Sequence, residues 1–410
     1  SQPPALLIRG ISVTEARIDL VDRAQDPATA ETIGPVNIRG SVSLPRSLHV
    51  SAEAKLPATN GRLEIRLKMD LRDRSFEGGL KGADIDMVRY LRFIPTVLPV
   101  VISSTRISSA DLALSGTTTA LNVAGDLAVT GSRISLPNGT SITGDLTAEK
   151  ASLSSAGKDL SLEGVFRGQG LSVRTSAGQT LAGDWQVSLS SLIKKDEALS
   201  AQANVWAQKA SFTIKDQVVA AQDLMISGAQ ISSKKEETQG RAALTANGLS
   251  IKTPAATLTG EALAPALLLK TTPEAITLSG DIRLEKTSLA LSEGPSAAAT
   301  VSLKGATVTI KKERTEIAGD VLLDGAVLKT KDLALNGTLT APGTLLRLTP
   351  SSVELRTNPN LKNGTVALTS GPVFTGSPGA EMILSIVDGK LSYGGTITLA
   401  GGTLTKIPTL

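Results

Sequence analysis

A nine-residue segment built around one glycine recurs along the chain and limits its fold more than any other feature. In Ile276–Leu284, large apolar residues occupy alternate positions and polar residues occupy the others. This period of two predicts a half-buried β-strand with one apolar face and one polar face. Gly280 stands at the midpoint of the apolar face, where a large side chain is expected. A glycine inside a strand usually indicates a bend, a bulge or a close approach of another backbone.

The same segment, here called the glycine box, recurs at a nearly fixed spacing. Each clear copy has an apolar residue two positions before the glycine, and most have aspartate directly after it. Adjacent copies are mostly about 19 or 20 residues apart, and degenerate copies fill the longer gaps, which is the signature of a repeat protein. The box glycines are Gly125, Gly144, Gly164, Gly183, Gly260, Gly280, Gly319 and Gly337.

A repeat of this length allows two all-β architectures. In a parallel β-helix each repeat forms one coil, whereas in an elongated antiparallel sheet each repeat forms one hairpin. Turn signals such as Asn247-Gly248 favour the hairpins, because Asn-Gly suits tight antiparallel connections. Each repeat also shows two apolar runs, so we expect two strands of about eight residues. The prediction is an antiparallel sheet, with the β-helix as the alternative.

In the antiparallel architecture the box glycines would align in every second strand and form a crease. A sheet can fold sharply where no Cβ obstructs the bend, which would give a trough or groove. Relief of crowding in a narrow core is equally compatible with the glycine spacing. The side chains expected to line the trough are Leu127, Val129, Leu146, Ile276, Leu278, Ile282, Leu284, Val321 and Leu323.

The chain divides by sequence into four segments. Residues 1–83 resemble a series of short β-strands, and residues 107–345 contain the regular repeat, which degenerates over 346–410. Residues 84–106 differ, since the apolar spacing predicts a helix near 84–94, with Asp84 as its N-cap and Pro95 ending it. The apolar stretch that follows suits a cover for the end of the sheet or a contact with a membrane or partner.

Composition argues against several classes of function. The chain has no cysteine and one histidine, His49, so no zinc or iron cluster can be assembled from these residues and no metal or cofactor is expected. No phosphate-binding loop, dinucleotide fingerprint or nucleophile elbow is present. The charges are interleaved and aromatics are rare, which argues against nucleic-acid binding. The aspartates of the glycine boxes are expected on the polar face, where solvation explains them.

Membrane-spanning helices are not expected, because the chain lacks an apolar run of 18 residues. No signal-peptide pattern opens the sequence. We therefore expect a soluble piece of a longer or processed chain.

Three parts of the sequence resemble the AsmA-like group of bacterial envelope proteins. They are the early strands Ile8–Val21, the segment Gly82–Met87 leading to 95–102, and Ser108–Gly116. The repeat also resembles the elongated β-rich region of that group, which is related to the repeating-β-groove, bridge-like lipid transfer proteins. The resemblance implies a periplasmic chain that is anchored in the inner membrane and moves phospholipid toward the outer membrane.

The predicted function is therefore a non-enzymatic hydrophobic groove for phospholipid or another acyl-chain lipid. Membrane contacts would lie at its ends, and its envelope protein partners are not identified by the sequence. The alternative is a structural or adhesive β-solenoid rod without cargo. A carbohydrate-active β-helix is disfavoured, since neither an aromatic sugar platform nor a carboxylate cluster is evident.

Overall fold

Two compact units, Ser1–Ala203 and Asn204–Leu410, make up the chain. The computed structural model describes residues 6–22, 29–44, 46–91, 101–291, 294, 296–349, 352–369, 371–387 and 390–405. The division between the units falls within one strand, β11, which spans Ala198–Ile214.

The first unit is an antiparallel sheet in which each strand pairs with the next along the chain. Five strands precede a short helix and five follow it. The strands are β1 Leu6–Asp22, β2 Thr29–Leu44, β3 Ser47–Leu56, β4 Gly61–Asp70, β5 Ser75–Asp86, β6 Val101–Gly116, β7 Ala120–Ser135, β8 Ser141–Ala156, β9 Asp159–Arg174 and β10 Thr180–Lys195.

The second unit is built in the same way. Its strands after β11 are β12 Gln217–Lys234, β13 Glu237–Lys252, β14 Ala256–Thr271, β15 Ile276–Leu291, β16 Ser296–Ile310, β17 Thr315–Lys329, β18 Leu333–Leu348, β19 Ser352–Thr357, β20 Asn360–Leu368, β21 Val373–Val387 and β22 Lys390–Thr405. The predicted fold class, an all-β repetitive antiparallel sheet, is confirmed. The parallel β-helix is wrong, because every pairing between described strands is antiparallel.

Each repeat forms one long strand, and the prediction of two strands of eight residues is wrong. For example, β15 has 16 residues, and only 272–275 separate it from β14. The two apolar runs are the halves of a single strand that is interrupted by a β-bulge. Asn247-Gly248, predicted as a turn, lies inside β13, where Gly248 has a φ of 60°. A tight turn and a glycine bulge both need a left-handed residue, so they share one sequence signal.

One strand position in the second unit is shared by two short strands. β18 pairs through 333–340 with β20 and through 345–348 with β19, and β21 pairs with both. Asn358 and Pro359 separate the two pieces. Proline has no N–H to donate to a ladder, which accounts for an interruption at this point.

The predicted helix is present but begins later than expected. α1 spans Met87–Leu91, while Asp84 still belongs to β5. The cap is Asp86, whose carboxylate accepts a hydrogen bond from the Arg89 backbone N–H at 3.3 Å. Arg89 also forms an ion pair with the buried carboxylate of Glu31, with 2.7 Å between Nε and Oε1. Residues 92–100, including Pro95 and most of the apolar segment, lie outside the described residues.

Candidate functional site

One face of each long repeat strand remains apolar along its whole length, and the bulge makes this possible. In β15 the apolar side chains occupy even positions up to Leu284 and odd positions from Leu289 onward. The register against β16 shifts between Leu284 and Thr287, next to Lys286, which has a φ of 51°. Because an extra residue reverses the alternation, both halves present their apolar residues on the same side.

The apolar residues of neighbouring strands align into rows across the second unit. Ile282 lies opposite Leu303, which lies opposite Val321 on the far side. The next row contains Leu284, Val301 and Leu323, and a third contains Leu278, Val308 and Ile317. The structure therefore brings together the predicted residues of this unit on one continuous aliphatic face. Ile276 lies on the same face at the start of β15.

The first unit contains a similar aliphatic face. Val129 and Leu146, both predicted from the sequence, are direct cross-strand neighbours. Leu127 lies between Ala110 and Ala148 on the adjacent strands. The predicted residues of this unit therefore share one face of β7 and β8.

Several members of this face were not predicted from the sequence. In β9 and β10, Phe166 pairs with Val187 and Trp185 pairs with Gly168. A further row contains Val123, Leu153, Leu162 and Leu192. Val123, Leu162, Phe166, Trp185 and Val187 continue the alternation of their glycine boxes, so their signal was already present in the sequence. Leu153 and Leu192 lie beyond a bulge, where the alternation is reversed, and tracking the phase across the bulge would have found them.

The apolar face is covered only in part by other protein atoms. Of the predicted lining residues, Ile276 is 43% exposed and the others are half-buried. Among the described residues no large side chain is completely buried, and most of the buried apolar side chains are alanines. A dry core would bury its leucines and isoleucines, since they contribute most to hydrophobic stability. The face is therefore able to accept additional apolar groups.

Seven of the eight box glycines, all except Gly260, occupy conformations that other residues rarely adopt. Gly125, Gly144, Gly164, Gly183, Gly280, Gly319 and Gly337 have φ between 135° and 159°. A Cβ on Gly125 would clash with the backbone carbonyl oxygen of Asp111, and one on Gly164 would lie 2.8 Å from Ala151 Cα. These positions therefore require glycine for reasons of both backbone conformation and space.

Each box glycine lies beside the bulge of a neighbouring strand. Gly144 is opposite Ser132, which follows the left-handed Gly131, and Gly280 is opposite Ala306, which follows the left-handed Gly305. Because adjacent strands run in opposite directions, the glycines form two rows, one in each half of the strands. The sequence-based expectation of a single line of glycines, in every second strand, therefore describes only one of these two rows.

The aspartates after the box glycines have a structural partner that sequence analysis did not identify. Asp281 accepts a hydrogen bond from the backbone N–H of Gly305 at 2.7 Å. The same bond to a left-handed bulge residue is made by Asp126, Asp145, Asp184 and Asp320, with donors Lys150, Gly131, Gly170 and Gly343. The solvation expected for these residues is therefore an incomplete explanation, because each carboxylate satisfies an amide that the bulge removes from the ladder.

Most ionisable groups with shifted pKa values belong to ion pairs or to the helix region, while hydrogen bonds from Ser75 lower the pKa of Asp73. The hydrogen bond from Arg347, for example, lowers the pKa of Glu316, and burial raises the pKa of Tyr90. Within the described ranges, no group of three or more His, Asp or Glu side chains is placed to hold a metal ion. His49 is exposed. No helix in the described part of the chain is both long and apolar enough to cross a membrane.

Residues 213–407 match the family described as the TamB C-terminal domain. The matched stretch covers just under half of the chain and lies entirely in the second unit. No curated protein and no solved structure matches the chain.

This family consists of bacterial envelope proteins with a role in transport, and it belongs to a wider TamB and AsmA-like group of bridge-like lipid transport proteins. The match therefore supports a similarity between residues 213–407 and that wider group. The resemblance to AsmA itself stays a prediction.

Proposed function

We propose that the chain is a non-enzymatic conduit whose apolar face shields the acyl chains of phospholipids between the two membranes of the bacterial envelope. The observation that carries this proposal is the continuous aliphatic face, whose large side chains remain partly exposed. Extended exposed apolar surfaces usually indicate a binding site. Acyl chains suit this face because they need a smooth aliphatic surface and no fixed polar partners.

The glycines and bulges fit this role because they would let the strands curve around the cargo. On this proposal the box glycines form the crease of a trough, and Leu278, Ile282 and Leu284 line its wall. The conduit would function in the periplasm and contact membranes at its ends. The match to an envelope transport family supports this location.

A photo-crosslinking amino acid placed in β15 tests the proposal. At position 282 it would face the apolar rows, whereas at position 279 it would face the polar side of the same strand. We expect ultraviolet light to attach phosphate-containing lipid at 282 and little at 279, read by mass spectrometry of protein purified from envelopes. Equal labelling at both positions, or none at either, would contradict the proposal and favour the rod without cargo.

A charged substitution supplies a functional test at the same place. Ile282→Asp would put a carboxylate among aliphatic side chains, where a charge without a partner is costly. We expect lipid bound per protein to fall at least about fivefold, since acyl chains would then have to desolvate this charge. Ser279→Asp is the matched control and should leave bound lipid unchanged. Circular dichroism of both variants checks that the strands are retained.

A further inference from the structure

A basin of about 950 Å³ is lined by residues of β1–β5. Its lining includes Arg39, His49, Ser51, Arg66, Lys68 and Glu77. These residues alternate along their strands with apolar ones such as Val50 and Leu67, so their side chains share the polar face. Val50 and Leu67 also border the basin, but its charged side chains lie on the opposite face of the sheet from theirs.

The strand register places two arginines on either side of a small residue. Arg39 on β2 lies opposite Ser51 on β3, which lies opposite Arg66 on β4. Strands in a sheet are spaced by about 4.8 Å, so the two arginine backbones lie roughly 10 Å apart. Ser12 and Gly79 are the outer neighbours of this row. With only a serine between them, both guanidinium groups have room to reach one ligand.

Arg39 differs from those basic residues of the sheet that form cross-strand ion pairs. Lys81, Lys286 and Arg347 each form an ion pair with a carboxylate on a neighbouring strand. The cross-strand neighbours of Arg39 are both serines, and its exposed guanidinium makes no hydrogen bond or ion pair with any described residue. Its planar set of donors is therefore available for an external anion.

The acids near the basin leave an excess of donors. Glu77 pairs with Lys68 at 2.6 Å, and Glu64 pairs with one nitrogen of Arg66 at 2.5 Å. The remaining donors are the whole Arg39 guanidinium, the rest of the Arg66 guanidinium and the Ser51 hydroxyl. Together they can surround several oxygens of one tetrahedral anion. Arginine pairs with such oxygens in a bidentate manner, which favours phosphate over a monovalent halide.

We propose that this basin binds a phosphate group, carried either by a lipid headgroup or by a free phosphate compound. Arg39 supplies the bidentate contact, Arg66 closes the other side, and Ser51 donates from the floor. The site is independent of the conduit proposed above, because it lies on the other face of the sheet. Either proposal can fail without affecting the other.

Calorimetric titration of the full chain with inorganic phosphate, at ionic strength held constant with sodium chloride, tests the site. We expect saturable binding with one site per chain. Arg39→Gln should weaken it by about tenfold or more, because the unpaired guanidinium is lost. Arg39→Lys, which keeps the charge but loses the bidentate donors of the guanidinium, should also weaken phosphate binding. Arg283→Gln is the control, since Arg283 lies on another strand and pairs with Glu285.

Flotation with vesicles separates the two sources of phosphate. Vesicles of phosphatidylglycerol and of phosphatidylcholine are compared for recruitment of the native chain and the Arg39→Gln variant. Phosphate binding together with Arg39-dependent recruitment to phosphatidylglycerol assigns the site to lipid headgroups. Phosphate binding without recruitment assigns it to free phosphate compounds. Absence of saturable phosphate binding, or unchanged binding by both Arg39 variants, overturns the proposal.

Discussion

Two groups of strands in the first unit differ in how regularly they pair with their neighbours. β3 and β4 have ten residues each and pair without any shift of register, as β4 also does with β5. The strands β7–β10 have 16 residues each, and every pairing between them contains register shifts. The difference shows what the glycine box and its partner bulge achieve. They let a strand continue past a bulge while its apolar residues stay on one face.

The largest effect that separates the two groups is expected at a box glycine. Gly125→Ala would place a Cβ against the carbonyl oxygen of Asp111, at a φ of 141°. We expect a loss of roughly 3 kcal/mol in the free energy of unfolding, from strain and overpacking together. The measurement is a urea unfolding curve.

The matched control for that substitution lies in β5, which pairs with β4 without a shift of register. In Gly79→Ala the new Cβ would have only one neighbour within 4 Å, the carbonyl oxygen of Leu112 at 3.6 Å. Alanine in a strand interior is otherwise favoured over glycine, so we expect little change or a slight gain in stability. If both variants lose the same stability, the box glycines have no special role.

A smaller effect is expected from the aspartates that bond to the bulges. Asp281→Ala removes the acceptor for the Gly305 N–H, which should cost about 1 kcal/mol because that amide has no ladder partner to replace it. Asp281→Asn should retain most of this stability, since Asn204 makes the same bond to Gly228 at 2.8 Å. Asp216→Ala, in the turn between β11 and β12, is the control. Equal unfolding midpoints for Asp281→Ala and Asp216→Ala would refute the assignment.

The smallest effect should be a gain. Thr287 is 6% exposed and follows the left-handed Lys286, yet its hydroxyl makes no hydrogen bond in the described structure. Thr287→Ala should stabilise the chain by about 0.5 kcal/mol, because an unpaired buried hydroxyl is unfavourable. Alanine already occupies the corresponding place at Ala306 and Ala326, both buried.

Thr344 stands at the equivalent position of β18 and provides the comparison. Its hydroxyl donates to the Ala341 carbonyl at 2.9 Å and contacts the Thr357 hydroxyl at 3.0 Å. Thr344→Ala should therefore lower the unfolding midpoint, whereas Thr287→Ala should raise it. A fall for both would mean that the Thr287 hydroxyl has a partner in solution.

Sequence analysis predicted the fold class because the period of two and the repeat length are local properties. It also placed residues such as Ile282 and Leu284 correctly on one face, since both lie before the bulge. The number of strands per repeat was wrong, because a phase reversal at Lys286 has the same appearance as a turn between two strands. Direct inspection of the sequence could not identify the partner of Asp281, because Gly305 lies 24 residues away and only the strand register brings them together.

The helix shows the same limit at a smaller scale. Apolar spacing predicted a helix in the correct region, but the cap moved from Asp84 to Asp86 because strand pairing with β6 holds residues up to Asp86 in the sheet. At these residues, hydrogen bonds to a strand that is distant in sequence outweigh the local preference for a helix.

The position of the box within each strand has a consequence for how such a chain can change. In β15 and β18 the glycine is the fifth residue and the left-handed residue is the eleventh, so an antiparallel neighbour of the same design always sets a glycine beside a bulge. Each strand is therefore complementary to a copy of itself. One repeat can be gained or lost anywhere in the series without disturbing the matching of the strands around it. The repeats are therefore interchangeable, and the number of strands in the sheet can change by one at a time.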